Sequence, residues 1–170
     1  MKHIFLIAII IGLGILTRAQ TEYEISGDGS NKVLKGLISR DLLSGDTAFA
    51  WFNGNKAAYS PDQQVVSVLK SKGSQVQLLV FGGTWSEDTR FLLPRFFSLL
   101  DAASISDKQL TLVGVDKQKE TFNHLSEELH ITQVPTFIVM KDGKEVGRVV
   151  EYGRTGQWDK ELAEIINDNF

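Results

Sequence analysis

The chain has 170 residues, of which 42% are hydrophobic and 23% are charged, and its formal net charge is −3. This length and composition suit one globular domain with a single apolar core. The mildly acidic balance excludes the basic footprint that is typical of nucleic-acid-binding proteins. The chain contains no cysteine. Disulfides and every reaction of a protein thiolate are therefore excluded.

Residues 1–19 are predicted to form a signal peptide that is removed. A positive start at Lys2 precedes an apolar run over residues 4–16, which is shorter than the roughly 20 residues that cross a bilayer. Thr17 and Ala19 place small side chains at the −3 and −1 positions of a cut before Gln20. We therefore expect an exported protein, periplasmic or extracellular, that has no membrane attachment after cleavage. The other possibility is an uncleaved anchor.

Residues 20–59 are predicted to form an N-terminal extension packed on the main domain. Apolar residues at helical spacing predict a helix over residues 32–43. Residues 46–59 are interpreted as an irregular or helical segment rich in large rings. The aromatic residues of this segment are Phe49, Trp51, Phe52 and Tyr59. They are interpreted as core residues, because aromatic rings bury large areas; if they are exposed, they form a partner-binding patch instead.

Residues 60–170 alternate between helical and strand patterns. The first predicted elements are a helix that starts at Ser60 and ends at Lys72-Gly73, a strand over 76–81 and a helix over 86–102 that contains Pro94. A strand over 110–115 and a helix over 116–129 follow. The last elements are two strands over 136–140 and 145–150, joined by Asp142-Gly143, and a helix over 156–169. Such alternation predicts parallel strands with helices on both faces. The final hairpin adds an antiparallel pair, so the sheet is expected to be mixed.

One short stretch after the strand over 76–81 carries the most information. Trp85-Ser86-Glu87-Asp88-Thr89 opens the next helix, which contains Pro94, and Val134-Pro135-Thr136 precedes a later strand. This layout resembles the thioredoxin family, in which a Trp-Cys-x-x-Cys motif stands at the end of a strand. The resemblance covers residues 60–170. It implies a thioredoxin-like three-layer α/β/α sandwich with a mixed central sheet, here with an N-terminal helical extension.

The chain departs from that family at the residues that carry its chemistry. Ser86 and Thr89 stand at the two cysteine positions, and Val80 stands where relatives bury an acid. Hydroxyl groups cannot form a disulfide, and they are poor nucleophiles without an activating base. Ser86 is interpreted as a helix N-cap, because Glu87 and Asp88 follow it in the first turn, where acids are favourable.

The resemblance also implies a peptide groove and its residues. That groove is expected to be lined by Trp85, Val134, Pro135 and Thr136, with a cis Val134–Pro135 bond. We predict a redox-inactive protein that binds an extended or unfolded polypeptide or an envelope protein. No cofactor, metal or nucleic acid is expected, and the oligomeric state is left open. The alternative is a thiol-disulfide oxidoreductase that acts only with thiols supplied by a partner.

Two other chemistries are weaker. A serine hydrolase would use Ser86 and Asp88 with His124 or His130, but no Gly-x-Ser-x-Gly motif surrounds Ser86. A metal site would need a cluster late in the helix predicted over 116–129, which is interpreted as a solvated face. The residues of that cluster are His124, Glu127, Glu128 and His130.

Overall fold

A computed structural model describes residues 22–170, which form one six-stranded sheet with helices on both sides. The predicted signal peptide therefore lies outside the described residues. The strands are β1 (Tyr23–Ser26), β2 (Val33–Ile38), β3 (Gln77–Gly82), β4 (Leu110–Gly114), β5 (Thr136–Lys141) and β6 (Lys144–Val150). The helices are α1 (Arg40–Gly45), α2 (Ala50–Ala57), α3 (Gln63–Lys72), α4 (Glu87–Ala102), α5 (Leu125–Glu128) and α6 (Trp158–Asn169).

The sheet is mixed, as the alternation of elements predicts. Its order is β1-β2-β4-β3-β5-β6, and β3 pairs parallel with β4 and antiparallel with β5. The crossover between the two parallel strands contains α4, since parallel neighbours need a long connection. The α/β fold class is confirmed, with the central strand β3 leading directly into the stretch that resembles the thioredoxin motif.

Apolar side chains fill both faces of the sheet. The larger cluster joins α2, α3, α4 and α6 to one face and contains the fully buried rings of Phe96, Phe97 and Phe137. The smaller cluster lies on the other face and includes Val113 and Ile131. Removing one of the buried rings would cost about 3–5 kcal/mol. Close packing on both faces therefore fixes the end of β3 in space.

The prediction of a helix over residues 32–43 is wrong for its first half. Residues 33–38 form β2, and helix α1 begins only at Arg40. The strand pairs with β4, where Gly36 lies opposite Gly114. A Cβ on Gly36 would lie 2.5 Å from Phe122, so only glycine fits there. This long-range pairing overrides the helical spacing of the apolar residues. The helical part of the extension is thus limited to α1 and α2, and its boundary at residue 60 stays a prediction.

The aromatic residues before residue 60 belong to the core. Phe49 and Phe52 are each 1% exposed, and Trp51 is partly buried. The Phe52 ring meets the Phe97 ring edge-on, with 5.5 Å between centroids. Burial removes these rings from any surface patch, so the interpretation as core residues is confirmed.

The start of α3 lies two residues later than predicted. Asp62, not Ser60, is the N-cap, because the Asp62 carboxylate accepts a hydrogen bond from the Gln64 N–H at 2.7 Å. The end of the helix at Lys72 is as predicted. The Asp142-Gly143 hairpin is also confirmed: both residues have positive φ, 51° and 75°, as the tight turn requires.

The prediction of a helix over residues 116–129 is wrong over most of its length. The Asp116 carboxylate accepts hydrogen bonds from the backbone N–H groups of Gln118 and Glu120, at 3.0 and 2.9 Å, and closes a turn. Lys119 within that turn has a φ of 66°. A helix cannot begin there, because the side chain has already fixed a different backbone course.

Further interruptions follow before α5. Asn123 and His124 both have a φ of 56°, in the left-handed region. His124 therefore precedes the four-residue helix α5 and does not share a helical face with Glu128. Its imidazole Nδ1 lies 2.8 Å from the Glu127 carboxylate, and both side chains are exposed. Among residues 22–170, no group of three or more His, Cys, Asp or Glu side chains is arranged to hold a metal ion.

Candidate functional site

The motif lies in the connection between β3 and α4. Ser86 is the N-cap of α4, as predicted, and its Oγ accepts a hydrogen bond from the Thr89 N–H at 3.3 Å. Glu87 and Asp88 occupy the first turn, where they favour the positive end of the helix. A Cβ on Gly83 would lie 2.6 Å from the Trp85 indole nitrogen, so glycine is needed for this turn to close.

The Ser86 hydroxyl also joins the motif, residues 85–89, to the proline loop, residues 134–136. It donates a hydrogen bond to the carbonyl oxygen of Val134 at 3.2 Å. The Val134–Pro135 peptide bond is cis. The structure thus brings together residues 85–89 and 134–136, which the family resemblance places side by side.

Most of these residues form the floor of the site. Val134 is 3% exposed and Thr136 is 2% exposed, and Pro135 is buried too. Trp85 is only partly buried, and its indole Nε1–H donates to the Val115 carbonyl at 3.0 Å. Among the four residues expected to line a groove, Trp85 therefore offers the side-chain surface, whereas the other three support the backbone beneath it.

The hydroxyl groups at the cysteine positions have structural partners. The Thr89 side chain is 1% exposed, and its Oγ1 accepts from the Gly83 N–H at 3.2 Å. Ser86 directs its proton to a main-chain carbonyl, which cannot act as a general base. Asp88 accepts from the Tyr152 hydroxyl instead. The hydroxyls act as caps and tethers, and the serine-hydrolase arrangement is not formed.

Thr84 ties the N-terminal strands to the motif. Its Oγ1 donates to the Lys32 carbonyl at 3.0 Å and accepts from the Leu34 N–H at 3.2 Å. The Arg90 guanidinium donates to the Thr84 carbonyl at 2.7 Å and to the Ser30 carbonyl at 3.1 Å. No sequence signal predicts these contacts, because their partners lie about fifty residues or more away for three of the four bonds.

A second set of residues at the site also escapes the sequence patterns. The Tyr152 hydroxyl donates to the Asp88 carboxylate at 2.9 Å, and the Tyr152 ring lies 6.1 Å from the Phe91 ring. Glu151 donates its backbone N–H to the Pro135 carbonyl at 2.7 Å, and its carboxylate accepts from the Gln133 amide at 2.9 Å. The turn after β6 is thus fastened to both the motif helix and the proline loop.

An open groove of about 650 Å³ leads away from this turn. It is lined by Val150 at the end of β6, by Glu151 and Tyr152 after that strand and by Gln133 before β5, and it reaches Ile165 on α6. Burial, and next the nearby charge of Asp88, raise the pKa of the Glu151 carboxyl above its ordinary value. The site therefore combines an open channel, partly exposed rings and carboxylates held close to one another.

Several known thioredoxins are similar to this chain in sequence. No protein-family model matches the chain. Thioredoxin H2-2 of Oryza sativa subsp. japonica is 31% identical over 81 residues, which are 48% of this chain and 56% of that protein. A thioredoxin of Echinococcus granulosus is 29% identical over 98 residues, 58% of this chain and 81% of that protein. The X-ray structure of Fasciola hepatica thioredoxin covers 61% of this chain and 89% of its own, with 20% identity and a TM-score of 0.41.

These relatives and the sheet topology define the class of protein. The chain is similar to thioredoxins over about half of its length and has a thioredoxin-like fold, with Ser86 and Thr89 at the positions that correspond to the two active-site cysteines. The matching relatives are covered over 19% to 81% of their own length, and the chain spans about half of the rice protein. Between Glu22 and Phe170, no helix has the length and apolar character needed to cross a membrane.

Proposed function

We propose that this protein is a non-catalytic module that binds an extended polypeptide in a thioredoxin-like groove. The observation that carries the proposal is the hydrogen bond from the Ser86 hydroxyl to the Val134 carbonyl. It holds the motif against the proline loop although neither cysteine is present. Thiol-disulfide exchange requires a thiolate that attacks a disulfide sulfur, so the retained frame serves binding and not electron transfer.

The expected mode of binding is the addition of a strand-like segment beside Val134. Main-chain hydrogen bonds supply affinity in this mode, and pockets for alternate side chains supply specificity. A carbonyl oxygen has two lone pairs, so the Val134 carbonyl can accept from Ser86 and from a partner N–H together. The partly exposed Trp85 ring adds apolar contact at the end of the groove.

Export is a second part of the proposal. The positive start, the apolar run over residues 4–16 and the small residues before Gln20 support cleavage of a signal peptide. The N-terminal sequence of protein recovered from the producing cell tests this directly. A mature chain that starts at Gln20 is expected, and a full-length chain that stays with the membrane fraction would overturn it.

The binding proposal is tested with fluorescently labelled extended peptides and the purified full chain. Trp85→Ala should weaken binding by about tenfold or more, since interface tryptophans often contribute above 1.4 kcal/mol. Leu125→Ala is the matched control, because Leu125 is a surface apolar residue, 37% exposed, at the start of α5 and outside residues 85–89 and 134–136. Circular dichroism verifies that both variants fold. Equal and negligible binding by the wild type and by Trp85→Ala would remove the proposal.

A further inference from the structure

Two aromatic rings beside the motif remain exposed. Phe91 on α4 is 43% exposed, and Tyr152 after β6 is 38% exposed. Their ring centroids are 6.1 Å apart, although they come from distant parts of the chain. Isolated exposed apolar residues need no explanation, but rings that are gathered into one patch indicate an interaction surface.

Two carboxylates that form no ion pair with other described residues adjoin this patch. Asp88 is hydrogen-bonded to the Tyr152 hydroxyl, and Glu151 immediately precedes that residue in the chain. Two cations are near the patch. Arg95 lies over the Phe91 ring, 3.4 Å from the centroid, and donates to the Phe91 carbonyl, and Lys119 acts on Glu151 through its charge without an ion pair. None of the ion pairs found within residues 22–170 includes Asp88 or Glu151.

The two carboxylates also repel each other. Burial raises the pKa of Glu151, and the charge of Asp88 raises it further. The hydrogen bond from the Gln133 amide and the charge of Lys119 act in the opposite direction on this pKa, but the pKa remains raised. A cation placed between the two carboxylates would replace that repulsion by attraction, which gives the patch a charge complementary to a basic partner.

We propose that the surface formed by Asp88, Phe91, Glu151 and Tyr152 binds a lysine or arginine side chain of the polypeptide in the groove. The aliphatic part of that side chain would lie on the two rings, and its charged end would reach the carboxylates. This inference rests on the proposed function, since it names the chemistry of the same polypeptide. The Glu151 backbone N–H donates to the Pro135 carbonyl at 2.7 Å, so a polypeptide that lies beside Val134 passes close to this surface.

The test uses three labelled peptides of equal length, alternating leucine and serine, whose central residue is lysine, serine or glutamate. Fluorescence anisotropy with the purified full chain should show the lysine peptide binding about three- to tenfold more tightly than the serine peptide. The glutamate peptide should bind least tightly. The advantage of the lysine peptide should fall as sodium chloride is raised, because exposed charges are screened by salt.

Single substitutions test which residues of the protein cause the preference for the lysine peptide. Glu151→Gln and Phe91→Ala should each abolish most of the preference for lysine, measured as the ratio of the affinities for the lysine and serine peptides. Asp168→Asn is the matched control, because it removes the same unit of charge from an exposed position near the end of α6. If Glu151→Gln and Asp168→Asn change the preference equally, the effect is long-range and the proposed surface is wrong.

The two proposals fail in different ways. If the serine peptide binds in a Trp85-dependent manner but lysine gives no advantage, the inference about a basic partner is overturned and the peptide-binding function stands. If no peptide binds the wild type, both are overturned. A preference for lysine that is lost in Glu151→Gln and retained in Asp168→Asn supports the inference.

Discussion

Two connections leave neighbouring parallel strands at the same edge of the sheet and take different courses. Gly82 at the end of β3 and Gly114 at the end of β4 are partners in the strand register. After β3 the chain turns at once into α4, which has 16 residues. After β4 it passes through several turns before α5, which has four residues.

A polar side chain near the start of each connection takes a different role. Ser86 offers its oxygen to the N–H three residues ahead, which starts a helix. Asp116 offers its carboxylate to N–H groups two and four residues ahead, which closes a turn. The first arrangement fixes the motif at the start of a long helix. The second arrangement produces a succession of turns over the smaller core.

The largest expected effect is a gain of activity at the first connection. Ser86→Cys with Thr89→Cys should raise disulfide reduction at least about tenfold above background, because the start of a helix stabilises a thiolate. In an insulin-reduction assay with dithiothreitol, the wild type should show no activity above the background rate.

The matched control places the same spacing at the second connection. Leu125→Cys with Glu128→Cys stands at the start of α5, where the helix has only four residues. The disulfide-reduction activity of this variant should remain near background. A folded Ser86→Cys, Thr89→Cys variant without activity would contradict the geometry, and turnover by the wild type would contradict the non-catalytic proposal.

Removing the cap of the first connection should cost the most stability. Ser86→Ala loses the bond to the Thr89 N–H and the bond to the Val134 carbonyl, so urea unfolding should show a loss of about 1–2 kcal/mol. Ser106→Ala is the control, because Ser106 caps only a short exposed turn. If both substitutions cost the same, the link between motif and loop contributes nothing measurable.

The turn of the second connection should depend on pH. Burial by itself would raise the pKa of Asp116, but its hydrogen bond from Lys35 and those from the turn lower it below the ordinary 3.8. Its charge therefore stabilises the fold above about pH 4, and that contribution is lost as pH falls through the lowered pKa. Asp116→Asn keeps an acceptor for the turn and should cost about 1 kcal/mol at pH 7.

The same substitution should cost progressively less as the pH falls from 7 through the lowered pKa, because the Asp116 carboxyl then becomes protonated in the folded state too. Urea unfolding of Asp116→Asn and wild type across this range measures the difference. A constant difference at every pH would show that shape, and not charge, holds the turn.

The smallest expected effect is relief of strain in the same turn. Lys119 has a φ of 66°, so Lys119→Gly should raise the unfolding free energy by roughly 0.5–1 kcal/mol. Lys117→Gly in the same turn lacks this strain and should lower stability, since glycine gains freedom in the unfolded chain. A loss in both variants would mean that the positive φ carries no cost.

The parts of the site that could be predicted from sequence are local. The cap at Ser86 follows from its neighbours in the first turn, and the pairing of the motif with residues 134–136 follows from the family resemblance. The contacts of Thr84 with Lys32 and of Tyr152 with Asp88 could not be predicted, because each joins residues that only the folded sheet brings together. The spacing of Phe122, Leu125 and Leu129 predicted a helix over residues 116–129, but the Asp116 carboxylate closes a turn where that helix would begin.

The amino-acid sequence alone determined that this protein has no thiol chemistry, since no cysteine occurs in it. It also determined the helices and strands from α3 to β4 and from β5 onward, because their apolar periodicity is strong over short stretches. Only the tertiary structure decided that residues 33–38 form a strand and that Phe91 meets Tyr152. The physical reason is the same in both cases: the energies that settle them come from contacts between distant segments, which no local pattern encodes.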